Sequence, residues 1–238
     1  MKLLIDAGNS RIKWGVHDGS AWLAQGAVWH DEIAQLAEMW QRWPVDQVYA
    51  SSVAREDVRL GVETAVPVRV CWVEAQKDGG GIHNHYHDPR QMGADRWLAV
   101  LAAKKLTTRD VIVVCAGTAL TIESLTLEGD YLGGLILPGY RTMLDSLAQA
   151  TARLDQPAGQ RVDFPQCTED ALASGAVEGL VGAVERARIR LSDRTLRALP
   201  EVIVTGGDAS LIGPWLASPA KIVDNLVLLG LLEVANAS

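Results

Sequence analysis

Short apolar runs alternate with polar turns along this chain, and the runs predict strands and helices in mixed order. The first half opens with three short strands, each bounded by turn residues, and continues with βα units around a polar, glycine-rich stretch at 78–90 that predicts a loop. The predicted strands are 2–6, 12–16, 21–29, 47–51 and 66–73, and the predicted helices are 31–42, 55–64 and 95–106.

The pattern then begins again. Strands are predicted over 111–114, 118–127, 131–137 and 202–205, and helices over 139–152, 168–191 and 225–235. Each strand triplet has a small-residue turn after its first strand, Asp6–Ser10 and then Cys115–Thr118. This repetition predicts an α/β fold of two duplicated ribonuclease H-like (actin-like ATPase) domains, 1–107 and 108–238, with a central cleft. Such a fold assigns no chemistry by itself.

Composition narrows the classes of function. The 238 residues carry a net charge of -7, which argues against a surface for nucleic acid or an anionic membrane. The three cysteines, Cys71, Cys115 and Cys167, form no CxxC pair, so we expect neither a disulfide framework nor a zinc ribbon. No signal peptide or membrane span is expected. We therefore expect a soluble, cytoplasmic protein.

The segment 6–13, DAGNSRIK, is the first candidate for chemistry. Gly8 permits a close approach of the backbone to a ligand, and the turn amides with the following Asn and Ser can donate to phosphate oxygens. Lys13 adds a cation, and Asp6 can hold magnesium directly or through water. A hairpin turn whose polar side chains satisfy backbone groups explains the segment equally well.

Asp95 and Arg96 follow Gly93 at the predicted start of a helix and are the second candidate. The carboxylate can accept a hydroxyl proton, and the guanidinium can bind a carboxylate or carbonyl. A structural interpretation stays open, since an N-cap aspartate stabilises a helix by ~1 kcal/mol.

Further glycine turns and a histidine group give weaker signals. The turns at 117–119, 133–139 and 205–208 suit phosphate contacts and plain structural turns alike. His83, His85 and His87 alternate, so an extended chain places them on one face, where a transition metal could bind. No carboxylate stands at metal-site spacing, and solvated loop histidines are the simpler interpretation.

Together, these segments resemble the type III pantothenate kinases of the acetate and sugar kinase/Hsp70/actin superfamily. The matching segments occur in the family's order and span most of the chain. They are DAGNSRIKW at 6–14, YHDPRQMGADRW at 86–97, GTALTIE at 117–123, GGLILPG at 133–139 and, less closely, FPQCTEDALASG at 164–175.

The resemblance implies ATP-dependent phosphorylation of pantothenate to 4′-phosphopantothenate, the first step of coenzyme A biosynthesis, by a cytoplasmic homodimer. It implies that Asp95 is the general base and that Asp6 organises the Mg²⁺ that accompanies ATP. The implied ATP contacts are Asp6, Ala7, Gly8, Asn9, Ser10, Arg11, Ile12, Lys13 and Thr118. The implied pantothenate contacts are Tyr86, Gly93, Ala94, Asp95, Arg96 and Thr168.

Two positions depart from the family pattern. Ser10 stands where many members have Thr, which preserves the hydroxyl. Cys115 stands where many members have an Asp that helps to bind a monovalent cation, so the implied dependence on K⁺ or NH₄⁺ lacks its acidic ligand here, although a neighbouring carbonyl could serve.

Two other functions stay open beside the kinase. One is a non-catalytic regulatory accessory factor of the same fold, because some relatives were first described as factors for virulence-gene transcription. The other is a superfamily kinase for another small hydroxylated substrate. The retained Asp6, Asp95 and Arg96 argue for catalysis, and the acidic pI argues against direct DNA binding.

Overall fold

A computed structural model describes residues 1–151 and 153–237 of the chain. The strands, in chain order, are β1 (Lys2–Ala7), β2 (Arg11–His17), β3 (Trp22–Trp29), β4 (Gln47–Ser52), β5 (Val70–Trp72), β6 (Asp78–Gly79), β7 (Ile82–Asn84), β8 (Val111–Ala116), β9 (Ala119–Leu125), β10 (Asp130–Pro138), β11 (Glu201–Thr205) and β12 (Lys221–Ile222). The helices are α1 (Ala34–Trp40), α2 (Glu56–Ala65), α3 (Ala94–Leu106), α4 (Tyr140–Ala150), α5 (Thr168–Thr195), α6 (Ala209–Ile212) and α7 (Leu226–Ala237), with 3₁₀ turns at His30–Glu32, Pro89–Gln91 and Gly213–Trp215.

The chain divides into two compact units. The first consists of Met1–Leu106 together with Asn225–Ser238, and the second is Thr107–Asp224. Each unit has its own mixed β-sheet and its own hydrophobic core. The predicted α/β fold class is confirmed.

The sheet of the first unit has the strand order β3-β2-β1-β4-β5. Strand β1 is antiparallel to β2 and parallel to β4. Because side chains alternate along a strand, Leu3 and Ile5 enter a core with residues of α1 and α2, such as Leu36 and Val62. Asp6 therefore belongs to the opposite face of the sheet, where α7 packs on β1.

The C-terminal helix α7 belongs to the first unit, whereas the sequence prediction placed 225–238 in the second domain. The helix is strongly apolar and packs on α3, burying Leu228 and Leu231. A Cβ at Gly230 would meet the carbonyl oxygen of Leu98, so the two helices lie in close contact there. Without α7 this face of the first sheet would be less covered, which explains why the end of the chain returns to the first unit.

The second unit repeats the sheet topology of the first. Strand β8 is antiparallel to β9 and parallel to β11. Strand β10 pairs antiparallel with β9, and β12 pairs parallel with β11. The order β10-β9-β8-β11-β12 thus matches β3-β2-β1-β4-β5 strand for strand and direction for direction. Apolar residues of α5, including Val177 and Val184, pack with Ile112 and Val114 in the core.

Several predicted elements differ from the structure. Residues 78–90 were predicted as a loop, yet they contain the β6–β7 hairpin and a 3₁₀ turn. The strand predicted over 66–73 is limited to β5, and β12 was missed because it is two exposed residues without a pattern. Residue 152, the predicted end of a helix, and residue 238, the predicted end of a domain, lie outside the described residues.

Candidate active site

The predicted acid Asp6 lies in a polar row that crosses three strands of the first sheet. In the antiparallel pair β1–β2 its register partner is Lys13, and in the parallel pair β1–β4 its partner is Ser51. The Ser51 hydroxyl donates a hydrogen bond to Asp6 Oδ1 at 3.1 Å. Side chains directly opposite one another in a sheet interact, so the sheet itself places a cation and a hydroxyl beside the carboxylate.

The Asp6 carboxyl is only 9% exposed, and its environment disfavours ionisation. Burial, followed by the negative charge of Asp95, raises the pKa of Asp6 from its ordinary value of 3.8 to about 6. The positive charge of Lys13 and the Ser51 hydrogen bond act in the opposite direction. The structure therefore brings together two predicted acids from distant parts of the sequence, and their charges are coupled.

Asp95 lies in the first turn of α3, directly after a tight glycine turn. Its Oδ1 accepts a hydrogen bond from the backbone N–H of Arg96 at 2.8 Å. A Cβ at Gly93 would lie 2.6 Å from the same oxygen, so a side chain there would require the carboxylate to shift. Asp95 is the second residue of α3 and not its N-cap, but its carboxylate still satisfies one N–H group of the helix start. It also acts electrostatically on Asp6.

Arg96 is 5% exposed and its guanidinium is directed at Tyr86. Its Nη1 donates to the Tyr86 hydroxyl at 3.0 Å, and its Cζ lies 5.7 Å from the centre of the tyrosine ring. Two of the residues predicted to bind the acceptor substrate are therefore in direct contact.

The turn between β1 and β2 is closed by a hydrogen bond from the backbone N–H of Gly8 to the carbonyl oxygen of Arg11, at 3.0 Å. Asn9 and Ser10 are exposed at its tip. Ala7 and Ile12, which were also predicted to contact ATP, are fully buried, and their side chains belong to the hydrophobic core.

Two residues that the sequence analysis missed support this turn. A ring nitrogen of His30, in the 3₁₀ turn after β3, lies 2.9 Å from the carbonyl oxygen of Gly8. The guanidinium of Arg11 lies 4.0 Å from the ring centre of Trp29, its register partner on β3. Their signal in the sequence is weak, because the contacts depend on the hairpin register.

Predicted nucleotide and substrate residues of the second unit lie on its turns and helix starts. Thr118 is exposed in the turn between β8 and β9, and its carbonyl oxygen accepts from the N–H of Gly139 at 2.9 Å and from the Thr142 hydroxyl at 2.7 Å. A Cβ at Gly139 would collide with the 117–118 backbone, so the Pro-Gly break lets this turn pack closely. Thr168 is the exposed first residue of α5.

A cavity lies within each unit next to predicted site segments. In the first unit, a cavity of about 440 Å³ is lined by Gly93 and Ala94 together with Ser52, Arg59 and Arg90, among others. In the second unit, a cavity of about 870 Å³ is lined by residues that include Tyr140, Arg141, Gly207 and Asp208. The sequence indicated candidate functional turns at both places, at Gly93 and at Gly207.

The donor atoms at Asp6 fit a hard cation rather than a transition metal. Carboxylate and hydroxyl oxygens are what Mg²⁺ prefers, and Mg²⁺ commonly uses one or two carboxylates plus phosphates. Within the described residues, no group of three or more His, Cys, Asp or Glu side chains could hold a metal. His83 Nδ1 lies 2.7 Å from Asp78 Oδ1, a contact between β7 and β6.

Comparisons with known proteins agree with the motifs. A family model described as type III pantothenate kinase matches residues 2–190. A Chromobacterium violaceum protein named type III pantothenate kinase is 58% identical over 236 residues, which cover 99% of this chain and 100% of that relative.

Solved structures share the fold at lower identity. A conserved Campylobacter jejuni protein described as a member of the Baf family of transcriptional activators has a TM-score of 0.68 and 22% identity, covering 99% of this chain and 98% of that one. An archaeal actin homologue has a TM-score of 0.54 and 12% identity, covering 100% and 99%. The actin-like fold is thereby shown.

No helix among residues 1–151 and 153–237 is long and apolar enough to cross a membrane. The family model covers most of the chain, and the relative covers nearly all of it. This chain belongs to the type III pantothenate kinase family.

Proposed function

We propose that the protein transfers the γ-phosphoryl group of ATP to the 4′ hydroxyl of pantothenate, the first step of coenzyme A biosynthesis. Family membership supports the substrates. The observation that carries the chemistry is the coupled pair of Asp6, at the end of β1, and Asp95, at the start of α3. A pair of acids whose environments differ is a common way to divide the work of acid–base and cation chemistry.

Asp95 is the general base of this proposal. A carboxylate oxygen of Asp95 accepts the proton of the pantothenate hydroxyl as that oxygen attacks phosphorus, and the bond from phosphorus to the leaving ADP oxygen breaks. Arg96 and Tyr86, which hold each other, orient the acceptor, with Gly93 and Ala94 as further contacts. Phosphoryl transfer depends mostly on positioning and on neutralising charge, so this small set is sufficient.

Asp6 holds the cation in this proposal, directly or through water. Its oxygens, with the Ser51 hydroxyl beside them, suit Mg²⁺, which when bound neutralises charge on the ATP phosphates. The phosphates lie on the amides of the 8–11 turn, Lys13 adds a positive charge from the next strand, and Thr118 is a further contact.

Two parts of the proposal rest on the family resemblance: the contact of Thr168 with pantothenate, and the homodimer. So does the dependence on K⁺ or NH₄⁺, for which Cys115 replaces an acid common in the family. Replacing potassium by sodium in the assay tests it: unchanged turnover would argue against a monovalent-cation site, and a large loss would support one.

Pantothenate-dependent release of ADP from the purified chain tests the proposal. We expect release that requires both Mg²⁺ and pantothenate and is about 10²- to 10⁴-fold slower with the Asp95→Asn variant. A regulatory protein without catalysis would release none with any acceptor. A kinase for another substrate would release ADP with a different hydroxylated acid and not with pantothenate, which would overturn the substrate assignment.

A further inference from the structure

Asn84 is a fully buried polar residue at the end of β7, with 0% of its surface exposed. Its side-chain Nδ2 donates to the carbonyl oxygen of Gln76 at 3.1 Å and to the sulfur of Met92 at 3.6 Å. Its Oδ1 accepts from the backbone N–H of Tyr86 at 3.0 Å. An amide buried in this way is costly unless it is hydrogen-bonded, so these contacts fix its orientation.

The main chain of Asn84 is held as firmly as its side chain. Its N–H donates to the carbonyl oxygen of Lys77 at 2.8 Å, and its own carbonyl oxygen accepts from Lys77 Nζ at 2.7 Å. The residue is thus anchored to the segment that precedes the β6–β7 hairpin. The Asn84 side chain therefore contacts Tyr86 and Met92 from a fixed position.

Those contacts lead to both parts of the acceptor site. Tyr86, two residues further on, receives the hydrogen bond of Arg96 on its hydroxyl. Met92 immediately precedes Gly93, the turn that begins the segment with Asp95. One side chain therefore joins the tyrosine loop to the segment that leads into α3.

We propose that Asn84 is a positioning residue for the acceptor substrate: its amide sets the Tyr86 loop relative to the 92–96 segment and so aligns Tyr86, Arg96 and Asp95. This inference rests on the proposed function, because its readout is the turnover of pantothenate. It assigns Asn84 no contact with substrate. Its effect passes through the backbone of Tyr86 and the side chain of Met92.

The test compares Asn84→Leu, which keeps the number and branching of the side-chain heavy atoms but is bulkier and has no polar group, with Asn84→Asp, which keeps an acceptor for the Tyr86 amide. Steady-state kinetics are measured against pantothenate at saturating ATP and against ATP at saturating pantothenate. We expect kcat/KM for pantothenate to fall roughly 10- to 100-fold in Asn84→Leu, by the sensitivity of such reactions to misplacement, and by less in Asn84→Asp. The KM for ATP stays within about twofold, as positioning of the acceptor alone requires.

A double-mutant cycle with Tyr86→Phe, which removes the hydroxyl that Arg96 holds, separates positioning from general weakening. If Asn84 acts through Tyr86, the two losses in kcat/KM are less than additive. Val62→Ala is the matched control, since it destabilises the core of the same unit at a fully buried site on α2. It should leave both KM values unchanged.

Equal kinetics for pantothenate in the parent and in either folded variant would overturn the inference. So would a rise of both KM values together, or full additivity with Tyr86→Phe. If Asn84→Leu does not fold, Asn84→Asp and its cycle decide the question. Failure of the proposed function is distinct, because the parent protein itself would then not phosphorylate pantothenate.

Discussion

Replacing Asp6 by Asn isolates the energetic consequence of burying this carboxylate. The variant keeps the size of the side chain and an oxygen that accepts from the Ser51 hydroxyl, while it removes the ionisable group. In the folded protein the pKa of Asp6 is raised to about 6 from 3.8, by burial and then by the charge of Asp95. At about 1.4 kcal/mol per unit of pKa, ionised Asp6 lowers the free energy of unfolding by about 3 kcal/mol.

The sign of the pH dependence follows from which state binds the proton. Between about pH 4 and pH 6 the folded state holds the Asp6 proton more tightly than the unfolded state does. Its contribution to the free energy of unfolding therefore falls as the pH rises through this window and is constant above it. Relative to the parent, Asp6→Asn should gain about 2 kcal/mol between pH 4 and pH 6, and less than about 0.5 kcal/mol more from pH 6 to pH 8.

Urea unfolding of both proteins from pH 4 to pH 8, without nucleotide or Mg²⁺, measures this difference by linear extrapolation. Asp18→Asn is the matched control. Hydrogen bonds from the backbone N–H groups of Ala21 and Ser20 lower the pKa of Asp18 from 3.8 to about 2, so in the folded protein its titration lies below the measured window. Its difference from the parent should change little with pH, and only near pH 4, where the unfolded carboxylate finishes its titration.

A difference between Asp6→Asn and the parent that stays constant over this range would refute the assignment of a raised pKa. The same variant should lack kinase activity, because it removes the carboxylate proposed to hold Mg²⁺. A protein that becomes more stable and loses activity together is the expected signature of a functional site that is kept at a cost in stability.

Three further substitutions test other parts of the site. Asp95→Asn should lower turnover about 10²- to 10⁴-fold in the ADP-release assay while ATP binding, measured by titration, is retained; parent-like turnover would exclude Asp95 as the base. His30→Leu removes the ring nitrogen at the phosphate turn and should raise the KM for ATP about tenfold, whereas His30→Gln, which can still donate, should recover part of it. An effect on pantothenate alone would contradict this role. Gly206→Ala forces a side chain into a turn with φ of 101°, against a neighbouring carbonyl, and should cost at least about 1 to 3 kcal/mol in urea unfolding. Gly207→Ala, where a Cβ meets nothing within 4 Å, is its control and should cost far less.

The sequence predicted elements well where apolar runs end at turn residues. The β1–β2 hairpin also predicted that Asp6 and Lys13 would be near each other, since the hairpin fixes their register locally. Ser51 was missed because β4 pairs with β1 in parallel across a long connection, which no local pattern reveals. The only signal for Ser51 in the sequence is weak: it is a serine at the end of a predicted buried strand, as Asp6 is an acid at the end of another.

The histidine-rich segment shows a different limit. His83 and His85 are candidate metal ligands in the sequence because metal ligands are recognisable by residue type. In the structure, His83 is exposed and its ring contacts the Asp78 carboxylate. Asn84 between them is the buried residue with contacts to Tyr86 and Met92. Because an asparagine in a polar stretch is typical of a turn, its burial depends on the hairpin that the sequence did not predict.

The repeated topology of the two units allows the position of Asp6 to be compared with the equivalent position of the second unit. Asp6 ends β1 between Lys13 and Ser51, and the corresponding residue of β8 is Cys115, between Thr121 and Thr205. Duplication thus supplied two equivalent strand ends with two glycine turns. An acid stands at the first and a cysteine at the second, so a buried carboxylate, which costs about 3 kcal/mol at neutral pH, occurs at only one of these two positions. The charge environment of Asp6 therefore comes from the residues around one strand end and not from the fold, which both units share.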